Sequence, residues 1–230
     1  GKNYIVEEAT SESFKDIDIA LFAGGSISTE FAPYAVKAGA VVIDNSSAFR
    51  MDPEVPLVVP EVNPQAILKH KGIIANPNCS TIIMVMALKP IYDLAKIKRI
   101  IVSTYQAVSG AGKEGIDELT NQVKAYSEGK EMEAKILPSA SLGKHYPIAF
   151  NLIPQIDVFL DNLYTKEEMK MVNETRKILE DYDMKITATT VRVPVYRSHS
   201  ESVNVELEKD LDLAAIKDAI SKFPGVQLQD

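Results

Sequence analysis

Four short apolar runs near the start of the chain limit its fold more than any other feature. "DIALFA" (18–23), "AVVID" (40–44), "LVV" (57–59) and "GIIAN" (72–76) are rich in branched residues and bounded by Gly, Asp, Asn or Pro. Such runs suit strands covered on both faces, the environment of a buried parallel sheet. "STEFAPYAVKAG" separates the first two, with Gly39 as a helix stop, and "VNPQAILKHKG" (62–72) supplies a shorter helix. Strands alternating with crossover helices predict a doubly wound α/β unit. The opening "GKNYIVEEAT" reads as a further strand.

Beyond Asn78 the rhythm changes. The pattern predicts a helix over 80–94 that Pro90 kinks or interrupts, a strand over 99–108, and a glycine loop at "SGAGKEG". Helices follow over 115–128 and 165–182, then strands at "MKITATTVRVPV" and "ESVNVELE", and a last helix at "LAAIKDAISKF". Strands and helices without regular alternation predict an α+β second domain. The division falls at residues 1–77, a partial doubly wound nucleotide-binding domain, and 78–230. With 46% of 230 residues hydrophobic, both parts can bury a core.

Charge and cysteine usage exclude several classes. A net charge of -7 argues against a nucleic-acid surface, which needs clustered Lys and Arg. No run reaches the roughly 18 apolar residues of a membrane span. A single cysteine forms no internal disulfide, fits a reducing cytoplasm, and excludes multi-cysteine metal sites, so no metal is expected.

That cysteine, Cys79, lies in "NPNCST" just before an apolar helical run, with Asn78 and Ser80 as caps. A helix N-terminus lowers a thiol's pKa and makes it a nucleophile. A small buried side chain is the plainer reading, because free Cys is among the most buried residue types. Local context does not separate the two. Among the three histidines, His70 sits in a polar turn, and the residues alone do not rank His145 against His199.

"NPNCST", "STYQAVSGAG" and "RVPVYRSHSESV" together resemble the aspartate-semialdehyde dehydrogenases, of the type found in Gram-positive bacteria. "APYAVKAGAVVIDNSSAFR" and "VPLVVPEVNP" fit the same family, so the similarity runs over essentially the whole chain. The resemblance implies NADPH-dependent reduction of aspartyl phosphate to aspartate semialdehyde with release of phosphate, on the route to lysine, threonine and methionine. It also implies a homodimer or homotetramer assembled through the second domain, which is then the catalytic and dimerisation domain.

The roles carry over by residue. Cys79 would form a thioester, dividing one hard substitution and reduction into easier steps. His199 would be the acid/base. Gln106 would orient the substrate, although from the sequence alone a solvent-facing strand residue is the preferred reading. Arg192 would hold the substrate carboxylate with its planar fork. Glu167 and Lys170, at i and i+3 on one helix face, would take the ammonium and the phosphate, with Glu168 the alternative if the register shifts by one. Arg50 and Asn78 would complete the phosphate site. Ala23, Gly24, Gly25, Ser109 and Gly110 lie in glycine turns that let backbone approach NADP closely.

The family pattern places a phosphate loop before residue 1 and a closing segment after Asp230, so an internal fragment with part of a cofactor cleft is expected. Rival readings are a reductase of N-acetylglutamyl phosphate or glyceraldehyde 3-phosphate, and an inactive truncated dimerisation module. A redox sensor would want a resolving Cys. One geometric expectation is sharp. Arg192 and His199 are an odd number of residues apart, so an uninterrupted strand would turn them to opposite faces. A loop or bulge near Pro194 is therefore expected, with the His199 ring roughly 3 to 5 Å from the sulfur.

Overall fold

The computed structural model describes residues 3–229. Strands β1 (Ile19–Phe22), β2 (Val41–Asp44) and β3 (Ile73–Ala75) form a parallel sheet in the order β1-β2-β3. Helix α1 (Ile27–Lys37) makes the first crossover. Its buried Ala32 and Ala35 pack with Phe14, Ala40 and Val42, small residues that let helix and sheet approach closely. Gly39, at φ 98°, turns the chain from this helix into β2. The sheet register sets Phe22 beside Asp44 and Asp44 beside Ala75, so all three strands end at one edge.

Helix α2 (Cys79–Ala95) starts at that edge, only three residues after β3. It runs unbroken through Pro90, whose missing N–H removes one bond of the ladder without ending the helix. Met84, Leu88 and Ile91 pack on a second sheet through Ile100 and Val102. That sheet joins β4 (Ile97–Gln106), β5 (Lys185–Arg192) and β6 (Ser200–Leu207) in the order β5-β4-β6, with β5 parallel and β6 antiparallel to β4. Its inner face changes character along its length. Ile100, Val102 and Ala188 are apolar, whereas Thr104, Gln106, Thr190 and Arg192, further along the same strands, are buried and polar. Gln106 and Arg192 are register partners at the end of β4 and β5.

Helices α3 (Gly112–Ser127), α4 (Lys166–Leu179) and α5 (Leu213–Lys222) complete the second part. Residues 128–164 run between α3 and α4 without a helix or a named strand, a stretch to which the sequence pattern assigned no element. Two side chains of α3 hold it. The Glu118 carboxylate accepts the backbone N–H groups of Lys135, Ile136 and Leu137. The Gln122 carbonyl accepts those of Ile148 and Ala149.

Two sequence expectations need correction. The opening segment forms no strand over residues 3–10, where Tyr4, Ile5 and Val6 are exposed; a strand needs a ladder partner, and none of the described residues pairs with it. "LVV" reduces to a single bridge between Leu57 and Ala75, because the chain turns away at Pro60.

Candidate active site

The strand ends, the start of α2 and one face of α4 enclose a cavity of about 610 Å³. Arg50, Asn78, Cys79, Gln106, Gly110, Glu167, Lys170 and Arg192 all line it.

Asn78 builds the start of α2. Its Oδ1 accepts from the N–H groups of Ser80 (3.0 Å) and Thr81 (3.2 Å), capping two of the helix's free donors. Its Nδ2 donates to Glu167 Oε1 at 2.9 Å, and its own N–H donates to Glu174 Oε2 at 2.6 Å. Cys79 follows with its side chain open to the cavity. Here the sequence expectation of a depressed thiol pKa fails. Burial of the sulfur in the concave wall pushes the thiol up, and Glu167 adds to this. The Ser80 N–H and Arg192 pull the other way, as a helix start should, but they are outweighed.

Along α4 the charged residues 167, 170, 174 and 177 recur at spacings of three and four, one helical stripe. Lys170 Nζ donates to Glu167 Oε2 (3.1 Å) and to Asp157 Oδ2 (3.2 Å). Burial opposes its charge, yet the two carboxylates prevail and raise its pKa. Glu174, only 1% exposed, accepts from Arg50 Nη1 at 3.2 Å as well as from Asn78. Lys177 Nζ donates to the carbonyls of Arg50, Asp52 and Val55, at 2.8, 2.6 and 2.8 Å. Glu168 faces elsewhere. It closes a capping box with Thr165 and accepts the Thr190 N–H, a structural task that separates it from Glu167.

The sheet supplies the opposite wall. Gln106 is buried on the inner face, not solvent-facing, and donates to Thr104 Oγ1 at 3.2 Å. Arg192 Nη1 donates to the Ala107 carbonyl at 2.7 Å, while its Nε has no partner among the described residues. A Cβ at Gly110 would stand 2.7 Å from Arg192 Nη1 and 3.5 Å from His199 Nε2, so a larger residue would push the guanidinium aside. The connection 193–199 is irregular, with Ser198 at φ 72°, and Val108 and Ser109 donate backbone bonds to Val195 and Tyr196 within it. That break turns His199 toward Arg192 and Gly110, as their odd separation demanded.

His199 Nδ1 accepts the Ala107 N–H at 3.0 Å. A neutral ring so held carries its proton on Nε2. Burial first, and then Arg192, lowers the His199 pKa and keeps the ring neutral. Two residues on, Glu201 stands on the inner face opposite Thr104 in the register, both carboxylate oxygens buried and without a partner among the described residues. Burial pushes its pKa up to about 8.

Other expected residues stay outside the cavity wall, His199 among them, behind Arg192 and Gly110. Ala23, Gly24 and Gly25 form the turn after β1, beside Asn45, whose N–H donates to Phe22. Gly25 takes φ 63° with open space where a side chain would stand, which fits close approach by a nucleotide's phosphate. Ser109 is absorbed in its bond to Tyr196. His145 Nε2 lies 3.2 Å from the Ser139 carbonyl, a structural contact, and His70 Nδ1 accepts the Gly72 N–H. Sequence reading missed Asp157, Glu174, Lys177 and Glu201. Only the α4 stripe, continuing the 167–170 pair, carried a signal for two of them.

Comparison with known proteins is unambiguous. The family described as "Semialdehyde dehydrogenase, NAD binding domain" matches residues 1–70, and "Semialdehyde dehydrogenase, dimerisation domain" matches residues 88–230. An aspartate-semialdehyde dehydrogenase of Aquifex aeolicus is 58% identical over 234 residues, covering 100% of this chain and 67% of that protein. One from Bacillus subtilis is 55% identical over 232 residues, with the same coverage of 100% and 67%. The crystal structure of aspartate semialdehyde dehydrogenase II from Vibrio cholerae matches with TM-score 0.87 at 51% identity, over 96% of this chain and 64% of that one. A structure of that Vibrio enzyme complexed with ASA matches with the same TM-score, 0.87, at 50% identity, over 96% of this chain and 63% of that one. The chain spans about two thirds of the curated relatives' length.

Proposed function

This chain belongs to the aspartate-semialdehyde dehydrogenase family, and on that premise we propose that the whole protein reduces L-aspartyl 4-phosphate to L-aspartate 4-semialdehyde and releases phosphate. The observation that carries the reading is the single cavity in which a thiol at a helix start meets cations on both walls. Cys79 thiolate displaces phosphate from the acyl carbon and forms a thioester. NADPH, when bound, supplies the hydride; NADP(H) is the proposed form of the cofactor. Hydride addition makes the carbonyl oxygen of the Cys79-bound carbon an alkoxide, and its collapse expels the thiolate and frees the aldehyde. Counted from the Cys79 thiol, the thiol proton leaves with the phosphate as hydrogen phosphate, and the expelled thiolate takes up one proton at the end, so the reduction consumes one proton overall.

The neutral His199 ring, with Nδ1 already engaged, is assigned as the Nε2–H donor to the oxygen that becomes negative. Arg192 holds the substrate carboxylate and Gln106 orients the acyl group. Glu167 receives the ammonium. Arg50, Lys170 and the α2 start, through Asn78, hold the phosphate. Three bonds to Glu174, Asn76 and Asn45 leave two of Arg50's five N–H groups for that ligand. The turns at Ala23–Gly25 and Ser109–Gly110 approach the cofactor. We assign the division at residue 77, assembly as a homodimer or homotetramer, cytoplasmic location, and a place in lysine, threonine and methionine biosynthesis to the same reading.

The test is phosphate-dependent reduction of NADP+ with aspartate semialdehyde by the full-length protein. Absence of phosphate dependence, or equal rates with N-acetylglutamate semialdehyde, overturns it.

A further inference from the structure

We propose that Glu174, which does not line the cavity, is the positioning residue that fixes the nucleophile's helix start and Arg50 at the same time. The inference deepens the proposed function and rests on it for the role of Arg50. One buried carboxylate divides its oxygens between the two elements: Oε2 takes the Asn78 N–H at 2.6 Å, and Oε1 takes Arg50 Nη1 at 3.2 Å. Asn78 is the residue immediately before Cys79 and caps α2, so its backbone position sets the direction in which the sulfur enters the cavity. Arg50 belongs to the loop after β2, and its Nε and Nη2 are already spent on the carbonyls of Asn76 and Asn45. Glu174 therefore completes a fixed frame in which the guanidinium shows only one edge to the cavity.

The chemistry of the pair suits this task. Burial raises the pKa of Glu174, while Arg50 and the Asn78 N–H pull it back. A carboxylate so deep keeps its charge only with both partners in place. Movement of either partner therefore weakens the hold on the other. Lys177, one turn further along the stripe, fixes the backbone of the same loop through three carbonyls, so Arg50 is anchored from both its main chain and its side chain.

Two readouts on the full-length protein separate the arms. Alkylation of Cys79 by iodoacetamide, followed on its own peptide by mass spectrometry, reports the helix start and needs no substrate. The KM for inorganic phosphate, in the oxidation of aspartate semialdehyde, reports Arg50. Glu174→Gln keeps an acceptor for the Asn78 N–H but turns an amide NH2 toward Arg50. We expect alkylation within twofold of the parent and a phosphate KM raised at least fivefold. Glu174→Ala removes both bonds, and at least a fivefold change in alkylation rate is then expected as well. A phosphate KM that is unchanged or lower in Glu174→Gln would show a mere counter-charge and overturn the proposal. So would unchanged alkylation in a folded Glu174→Ala. If the alanine variant does not fold, the glutamine variant decides alone. If the parent shows no phosphate-dependent activity, the functional reading has failed, and alkylation still decides the arm that concerns Asn78.

Discussion

Along α4, Glu167, Lys170, Glu174 and Lys177 each hold two or more polar partners, across the α2 start, the Arg50 loop and Asp157. On the facing sheet, Arg192 Nε and both Glu201 oxygens are buried without partners among the described residues; Arg192 lines the cavity, whereas Glu201 and His199 stand behind its wall. The two walls use similar residue types in opposite states. Buried polar groups with no partner are costly, so the buried Glu174 is met by the protein itself, while Lys170 keeps one of its three N–H donors for a ligand. The sheet wall keeps hydrogen-bonding capacity in reserve. Within the α4 stripe Glu174 and Lys177 set positions, whereas Glu167 and Lys170 also face the cavity. Substitution of the cavity-lining Arg192 should therefore change kinetics more than stability, and substitution of the anchoring Lys177 the reverse.

The largest effect is expected where the walls meet. Cys79→Ser should lower kcat by about a thousandfold or more with little change in Tm, because a hydroxyl is a far poorer nucleophile of nearly the same size. A variant retaining a tenth of the parent activity would remove Cys79 from the chemistry. The thiol itself sharpens the point. Burial and Glu167 raise its pKa, so alkylation of the free enzyme should follow a titration displaced to more alkaline pH than that of an ordinary thiol. A displacement to lower pH would mean that the helix start dominates after all.

Arg192→Lys comes next. Lysine keeps the charge but loses the planar fork, and about a hundredfold loss in kcat/KM is expected, most of it in KM for aspartate semialdehyde. Tm should move by only a few degrees. A large fall in Tm with KM unchanged would place Arg192 among the structural residues and erase the contrast between the walls.

Much of this arrangement was legible in the sequence, and the parts that were not share a cause. Short apolar runs gave the parallel strands, and the Asn78 cap followed by an apolar run gave α2. The odd separation of Arg192 and His199 required the irregular connection that is observed. These are local or periodic signals. Glu174 and Glu201 were not legible, because what distinguishes them is burial, created by elements distant in the chain. The thiol's pKa went the wrong way for the same reason: the helix start is a local effect, whereas desolvation and Glu167 come from tertiary packing. Gln106 looked solvent-facing until its strand was paired on both sides.

Glu201, behind the cavity wall on the same sheet, tests the cost of an unpartnered buried carboxyl. Its folded pKa of about 8 lies above the value of 4.5 for a free carboxyl. The folded state thus holds a proton that the unfolded state releases. Stability from this group is full below about pH 4.5 and declines as pH rises to about 8. Glu201→Gln removes the titration, so its stability relative to the parent should improve between those limits. At pH 9 the gain should be about 2 to 3 kcal/mol, allowing for partial exposure, and there should be none at pH 4. Denaturant titrations at both pH values measure it. An equal effect at both would mean that Glu201 finds a partner in solution.

Lys177→Met should show the α4 pattern. Three backbone carbonyls lose one ammonium, at a cost of about 2 kcal/mol, since part of the site reaches water. The folded variant should keep its KM for aspartate semialdehyde within about threefold. A tenfold rise, without loss of stability, would make Lys177 a ligand rather than an anchor.

The smallest effect separates Glu167 from its neighbour. Thr165 and Glu168 close the N-terminus of α4 reciprocally: Thr165 Oγ1 accepts the Glu168 N–H at 3.2 Å, and Glu168 Oε2 accepts the Thr165 N–H at 2.7 Å. A cap of this kind contributes about 1 kcal/mol. Thr165→Ala removes one half of it and leaves Glu168 bonded to the backbone of Thr165 and Thr190. A fall in Tm of about 2 to 4 °C is expected, with kinetic constants unchanged. Glu167, one residue away, is rotated by about 100° around the helix and points to Asn78. Its environment depends on the packing of α4 as a whole, through Met171 and Val172 in the core, rather than on the first turn. If Thr165→Ala raised the KM for aspartate semialdehyde severalfold, the first turn would be controlling the cavity, and the cap would belong with the site rather than with the scaffold.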